Sequence, residues 1–245
     1  MKSYLKPFFF LYYYTLFFPL AISLMVVCAI MAMVFALLFG QRAGSYWGRI
    51  WAKGTCLLSF VRVIVTGKEY LSKEQSYVFV ANHSSSYDIY SMYGYLGRDI
   101  RWMMKKELMR VPFLGPACKM VGHIAVDRSN ALKAAETIEK AKKTLQNGTS
   151  VVFFPEGSRT RTGKMSAFKR GAFVTAQEIG LPVVPVAIEG TYNIMPPGTN
   201  IIRPGKVYLH IQPPYLLNSA TKDEMLIHVN KVHDLIEVKL KGSLN

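Results

Sequence analysis

The sequence predicts an α/β fold: a single domain with a mixed, largely parallel sheet flanked by helices, behind an N-terminal hydrophobic helical membrane anchor. Three observations predict it. After about residue 56, short apolar runs suited to buried strands alternate with helical patterns, the signature of layered α/β architectures. Polar residues with chemical capability follow directly on the ends of those runs. From Pro7 to Gln41 the chain holds 35 consecutive residues without a charge.

The uncharged run comes first. A secretory signal has an apolar core of only about 7–15 residues and a small-residue cleavage site, so it does not fit. One straight helix over the whole run would be about 50 Å long, well beyond a hydrocarbon core of about 30 Å. Pro19 offers a break. Two arrangements follow: one span near residues 20–40 behind an aromatic interfacial segment, or a two-helix hairpin within one leaflet. Arg42, Arg49 and Lys53 follow the run, against Lys2 and Lys6 before it, a bias that places the remainder on the cytoplasmic side. In the next stretch Trp47 and Trp51 are four apart, as are Arg49 and Lys53, which suits a short helix at headgroup level or one packed on the domain. Residues 1–55 are thus expected as anchor and interfacial helix, and 56–245 as the folded domain.

Strands are expected at Leu58–Thr66 and Tyr77–Ala81, and a helix over Ile89–Tyr95. Residues 130–148 form an amphipathic helix closing on Asn147-Gly148. Val151–Phe154 and Val183–Ile188 are buried strands, separated by a helix from about Lys169 to Gly180. Val207, Leu209 and Ile211 alternate in a last strand. Thr221 and Glu224 form a capping box that opens a final helix to about Leu240.

Charge narrows the partners. There are 30 Lys+Arg against 15 Asp+Glu, a net +15, with 51% hydrophobic residues. Such a surface attracts polyanions, and the apolar content favours an anionic membrane over nucleic acid. Cys28, Cys56 and Cys118 are far apart with no CxxC, so neither a disulfide framework nor a metal site is expected. The Gly157–Lys164 stretch has the wrong glycine spacing for a phosphate-binding P-loop and no Ser/Thr after the lysine. No GxSxG elbow occurs. His228 and His233 sit five apart on a helix, pointing apart, and read as packed or solvated.

Two stretches carry chemistry. "NHSSSYD" places His83 at the end of a strand and Asp88 in the first turn of the following helix. A general base needs such a pair: one ring nitrogen free, the other held by a carboxylate that fixes the tautomer. The same residues also fit a helix cap with Asp88 near the positive end of the dipole. "FPEGSR" (Phe154–Arg159) follows a strand with a glycine and an arginine, which suits a phosphate monoester held by N–H groups and a planar fork.

Together with "GHIAVDR" (Gly122–Arg128), "VVPVAI" (Val183–Ile188, with Pro185), "KKEL…VPFLG" and "FKRGAF", these stretches resemble the four ordered motifs of the glycerolipid acyltransferases. Within that family the resemblance is to 1-acylglycerol-3-phosphate acyltransferases, over roughly residues 60–215. It implies that His83, oriented by Asp88, deprotonates the free hydroxyl of lysophosphatidic acid as it attacks an acyl thioester of CoA or acyl carrier protein, giving phosphatidic acid without an acyl-enzyme or cofactor. Glu156, Gly157, Ser158 and Arg159 would hold the acceptor phosphate, with Arg128 and Lys105 as further contacts, Pro185 marking the fourth motif and the Gly157 amide a candidate oxyanion donor. Cys118 is expected as core. The expected partners are the two substrates, an anionic bilayer and an acidic carrier protein, and the expected place is the cytoplasmic face of a bacterial inner membrane. Two alternatives stay open: a related acceptor such as glycerol-3-phosphate or a lyso-amino-acid lipid, and a membrane-tethered binder of anionic lipid without turnover.

Overall fold

A computed structural model describes residues 6–126, 142, 144–145 and 147–242. Helix α1 (Lys6–Tyr12) passes through a π-helical turn (Tyr13–Phe17) into α2 (Phe18–Phe39). Pro19 therefore does not break the run. Proline lacks the N–H that would bond four residues back, and its ring crowds that carbonyl; the wider turn just before it takes up the defect. The break falls at Gly40, with φ 85° and ψ 170°, a conformation open to glycine.

Helix α3 (Gln41–Leu58) folds back along α2. Gly44 abuts Ala32 and Ala36, and Gly54 abuts Leu24, so the pair is antiparallel. Of the two arrangements expected, a hairpin within residues 7–41 does not form, since the helix runs on to Phe39; a hairpin is made instead by residues 18–58, and the stretch around Trp47 and Trp51 is its second arm. Because α3 continues to Leu58, the strand expected from that residue starts at Val61. From Tyr13 to Phe39 the helix is long and apolar enough to cross a membrane.

The strands are β1 (Val61–Thr66), β2 (Val78–Ala81), β3 (Asp99–Lys105), β4 (Ile124–Val126), β5 (Thr149–Phe153), β6 (Val183–Glu189) and β7 (Gly205–Ile211). Among the described residues they form a seven-stranded sheet in the order β1-β7-β6-β2-β5-β3-β4. Every pair is parallel except β6 with β7, which matches the mixed, largely parallel sheet expected. The helices are α4 (Tyr87–Tyr95), α5 (Leu114–Val121), α6 (Gly171–Ile179), α7 (Thr191–Ile194) and α8 (Lys222–Gly242).

Strand side chains alternate between faces, and both faces are covered, which is why the central strands read as unbroken apolar runs. Phe79, Ala81, Val152, Val184 and Val186 share one core with Ala52 and Cys56 of α3 and Met92 of α4. Val78, Val80, Val151, Val183 and Ala187 share the other with Phe173 of α6 and Val229 and Ile236 of α8. Tyr13 and Phe17 belong to the first core, so the apolar N-terminal helix is docked on the domain.

Thr221 and Glu224 exchange main-chain bonds at 3.2 and 3.3 Å, completing the capping box. His228 packs against Tyr215 with a 2.5 Å hydrogen bond. Pro185 is buried inside β6, opposite Val80. Its carbonyl accepts the Gln212 N–H, so the one bond its missing N–H forgoes lies just past the end of β7. Pro185 is a sheet residue and does not line the cavity described below. The helix expected at 130–148 lies largely outside the described residues, as does Arg128; Lys105 ends β3, and its side chain is likewise outside them.

A Cβ on Gly44 would sit 2.6 Å from the Ala32 carbonyl oxygen. Gly44→Val is expected to wedge the hairpin apart at about 1–3 kcal/mol, lowering Tm by roughly 5 °C in detergent. Gly171→Ala, with open space around it, serves as the control and leaves Tm unchanged or slightly higher. Equal melting of Gly44→Val and the parent would refute this close packing.

Candidate active site

Strand β2 is wholly buried and delivers Asn82 at its carboxyl end. The Asn82 amide group donates to the Ile188 carbonyl (2.9 Å) and accepts the Ile188 N–H (2.7 Å). A side chain thus continues the β2–β6 pairing where the backbone must turn away. His83 comes next, lying flat on Phe154 with ring centroids 4.0 Å apart and planes 10° from parallel.

The Asp88 carboxylate is fully buried. Its Oδ2 accepts from His83 Nδ1 at 2.8 Å, Ser84 N–H at 2.7 Å and Ser85 N–H at 2.8 Å. Its Oδ1 accepts from the Thr191 hydroxyl. An ionised carboxylate can take about four such bonds, so this one is satisfied. Bonded through Nδ1–H, the imidazole keeps Nε2 as the proton acceptor. His83 and Asp88 are therefore a hydrogen-bonded pair; Asp88 also lies in the first turn of α4, as the cap reading expected, but the main-chain N–H groups it accepts belong to the loop before that helix. The Ser84 and Ser85 amides thus hold the carboxylate.

The second loop does not act as expected at every position. Glu156 is buried and fully engaged. Oε1 accepts the His83 N–H at 2.6 Å, and Oε2 accepts the Ser166 N–H and hydroxyl at 2.9 and 2.8 Å. A carboxylate so occupied, and of like charge, is no ligand for phosphate. It positions the His83 main chain instead. The Gly157 N–H donates to the Phe154 carbonyl at 3.0 Å, closing a turn after which Gly157 itself takes a φ of 82°, and so is not aimed at an oxyanion. Ser158 and Arg159 are exposed. Arg159 Nη1 donates to Ser86 Oγ at 2.7 Å, and the Thr160 N–H donates to the His83 carbonyl at 2.9 Å, so the two loops are laced together.

A cavity of about 930 Å³ opens beside the dyad. Its lining divides by chemistry. His83, Ser86, Ser158, Arg159 and Arg161 supply polar groups, and their exposed members mark the opening. Met25 and Ala29 of α2, with Leu114, Ala117 and Val121 of α5, supply apolar wall. The hairpin is thus part of the site. Cys118 is core as expected, and it also faces the cavity. Burial pushes its thiol up to about 11, leaving it a protonated and poor nucleophile at neutral pH.

Sequence reasoning missed three participants. Thr191 lies just beyond β6, the sheet neighbour of β2, and only the strand order brings its hydroxyl to Asp88. Ser86 meets Arg159. A Cβ on Gly157 would lie 3.0 Å from Lys169 Nζ, which sets that ammonium beside the loop; its place in "FKRGAF" was the available signal.

The fold has a known counterpart, and the sequence has relatives. The crystal structure of PlsC, the 1-acyl-sn-glycerophosphate acyltransferase of Thermotoga maritima, superposes with a TM-score of 0.79 at 24% identity, covering 99% of this chain and 98% of that one; this likeness concerns the fold. A chloroplastic 1-acyl-sn-glycerol-3-phosphate acyltransferase of Arabidopsis thaliana is 34% identical over 167 residues, covering 67% of this chain and 46% of the relative. The chain spans just under half the length of that protein and of its Brassica and Chlamydomonas relatives. The enzyme of that name from Haemophilus influenzae is 31% identical over 164 residues, 66% of this chain and 68% of the relative. The family model described as Acyltransferase matches residues 62–189, a span holding His83, Asp88 and the Glu156–Arg159 loop, and the chain belongs to that family.

Proposed function

We propose that this protein transfers an acyl group from a thioester to the sn-2 hydroxyl of 1-acylglycerol-3-phosphate, forming phosphatidic acid. The observation that carries this reading is the His83–Asp88 dyad beside an apolar cavity whose opening bears Ser158, Arg159 and Arg161. It is the arrangement needed by an acceptor with a hydroxyl, a phosphate and an acyl tail.

His83 Nε2 takes the hydroxyl proton while the hydroxyl oxygen attacks the thioester carbonyl carbon. Asp88 stabilises the imidazolium that results. The tetrahedral intermediate collapses by breaking the C–S bond, and the leaving thiolate takes the proton back from the imidazolium. Protons and electrons balance with no acyl-enzyme and no cofactor. Arg159 and Arg161 bind the acceptor phosphate as charge-assisted partners, and holding phosphate and hydroxyl at once supplies the orientation that a bimolecular step lacks. An acyl chain lies along Ala29, Leu114 and Val121. Coenzyme A and acyl carrier protein present the same thioester, and both suit a chain of net charge +15.

The α2–α3 hairpin seats the domain on the membrane, where a one-tailed acceptor reaches the cavity from the leaflet. The exposed apolar face of α2, with Ile22, Ile30, Leu37 and Phe39, would contact lipid, and the basic residues of α3 would meet anionic headgroups on the cytoplasmic side.

Purified protein in detergent, given a panel of lyso-acceptors with each donor, tests the reaction. Release of phosphatidic acid from lysophosphatidic acid is expected; turnover confined to a non-phosphate acceptor, or none, would overturn it. His83→Ala is expected to lower kcat by about 10²–10⁴-fold, and retained activity would end the base assignment. Arg159→Ala should raise the acceptor KM by about 10-fold or more, whereas Glu156→Gln should lower kcat with little change in that KM; the reverse split would return Glu156 to the phosphate. Thr191→Val should lower kcat and Thr191→Ser restore most of it, and equal loss in both would remove the hydroxyl from the argument.

A further inference from the structure

We propose that the acyl cavity holds a polar subsite, built by Tyr93, His123 and Trp102, that receives a hydroxyl carried partway along an acyl chain. The proposal rests on the reading of this cavity as the acyl site.

All three residues line the cavity and lie against one another. Tyr93 meets His123 with ring centroids 5.6 Å apart and Trp102 at 6.0 Å. Their polar atoms are held only loosely. His123 Nε2 is 3.4 Å from the Tyr93 hydroxyl, and Nδ1 is 3.5 Å from the Trp102 main-chain N–H. Ser45 Oγ is 3.3 Å from the Tyr93 hydroxyl. Each is longer than the ordinary range of about 2.7–3.2 Å. Among the described residues the Trp102 indole N–H has no partner, although the residue is more than nine-tenths buried.

Buried polar groups are normally well bonded. Three loosely bonded groups lying together in the cavity, Tyr93 and Trp102 buried and His123 half-buried, mark a place where a ligand brings polarity, because ligand cavities place a few polar groups to fix orientation. The charge state limits what that ligand is. Burial, together with the nearby Arg101 guanidinium, holds His123 down to about 3, so the imidazole is neutral and offers one donor and one acceptor. Tyr93, pushed up to about 12 chiefly by burial, is a neutral hydroxyl. A neutral, desolvated pair does not select an anion such as a chain carboxylate. A hydroxyl, which donates and accepts, fits either tautomer of the pair.

The depth of the subsite locates the hydroxyl. Between His83 and Tyr93 stand Phe154, stacked on His83 at 4.0 Å, and Trp102, stacked on Phe154 at 5.8 Å. Phe154 thus separates His83 from the Trp102 edge of the subsite, and Trp102 in turn separates Phe154 from Tyr93, which sets the Tyr93 hydroxyl beyond the thioester and its neighbouring carbons, at mid-chain. The chain could belong to the donor or to the acceptor.

Full-length protein in detergent tests this in two arms. In one, stearoyl-CoA and a mid-chain hydroxystearoyl-CoA compete for plain lysophosphatidic acid. In the other, stearoyl-CoA meets lysophosphatidic acid bearing a stearoyl or a mid-chain hydroxystearoyl tail. In one arm the parent is expected to use the hydroxylated chain at least as well as the plain one. In that same arm Tyr93→Phe and His123→Phe are expected to lower the hydroxylated-to-plain ratio of kcat/KM by about 10–100-fold. A parent that discriminates against the hydroxyl in both arms, or a ratio unmoved by Tyr93→Phe, overturns the proposal. Tyr93→Phe removes one oxygen and decides the matter if His123→Phe does not fold. Should plain substrates give no turnover, the reaction assignment fails separately; displacement of a fluorescent fatty acid then reads the subsite alone. Preference for hydroxystearate over stearate, lost in Tyr93→Phe, supports it, and no preference overturns it.

Discussion

A single buried charge organises the site. Burying an unpaired carboxylate costs several kcal/mol even after relaxation, and Asp88 is fully buried. The cost is offset because donors arrive from two separate places: the His83–Ser85 loop after β2, and Thr191 after β6. Those loops are neighbours because β2 and β6 are neighbours in the sheet. The demand of one carboxylate for donors thus ties together the carboxyl ends of two strands. The imidazole is aimed as a consequence of that satisfaction.

Glu156 repeats the device one strand away. Its strand, β5, pairs with the other side of β2, and its carboxylate takes the His83 N–H. His83 is therefore held by three neighbouring strand ends, with its ring on Phe154 and its main chain between Glu156 and Thr160. A base fixed from both sides of its own strand has little rotational freedom left, which suits preorganised proton transfer. The hairpin side is built by a different principle. The α2–α3 hairpin packs small on small, Gly44 against Ala32 and Ala36, and its inner face becomes cavity wall.

What the sequence disclosed and what it hid divide along a physical line. The His83–Asp88 spacing was readable because a strand end followed by a helix start constrains a short segment. The buried strands were readable because both faces are covered, leaving long apolar runs. The roles of Glu156 and Thr191 were not, since both depend on strand order, and order in a largely parallel sheet is set by long-range packing that leaves no local trace. Pro19 misled because its helix-breaking tendency is local, while the π turn at Tyr13–Phe17 that absorbs it is supported by the docking of Tyr13 and Phe17 in the core. The hairpin partner was missed for a related reason: α3 is amphipathic and basic, and reads as a surface helix until α2 covers it.

A base that acts directly on substrate imposes a demand on the rest of the site. In the reaction proposed above, with no protein nucleophile to store the acyl group, donor and acceptor would have to be bound together, and the acceptor hydroxyl would have to reach Nε2 at the moment the thioester carbonyl is in place. Arg159 is suited to link these events. Its guanidinium donates one bond to Ser86, in the loop that runs from His83 to Asp88, and has further N–H donors of its five for a phosphate. Phosphate can therefore bind without releasing Ser86. The same side chain would then hold the acceptor and brace the loop that carries the base, so that the headgroup is read at the place where the proton is taken.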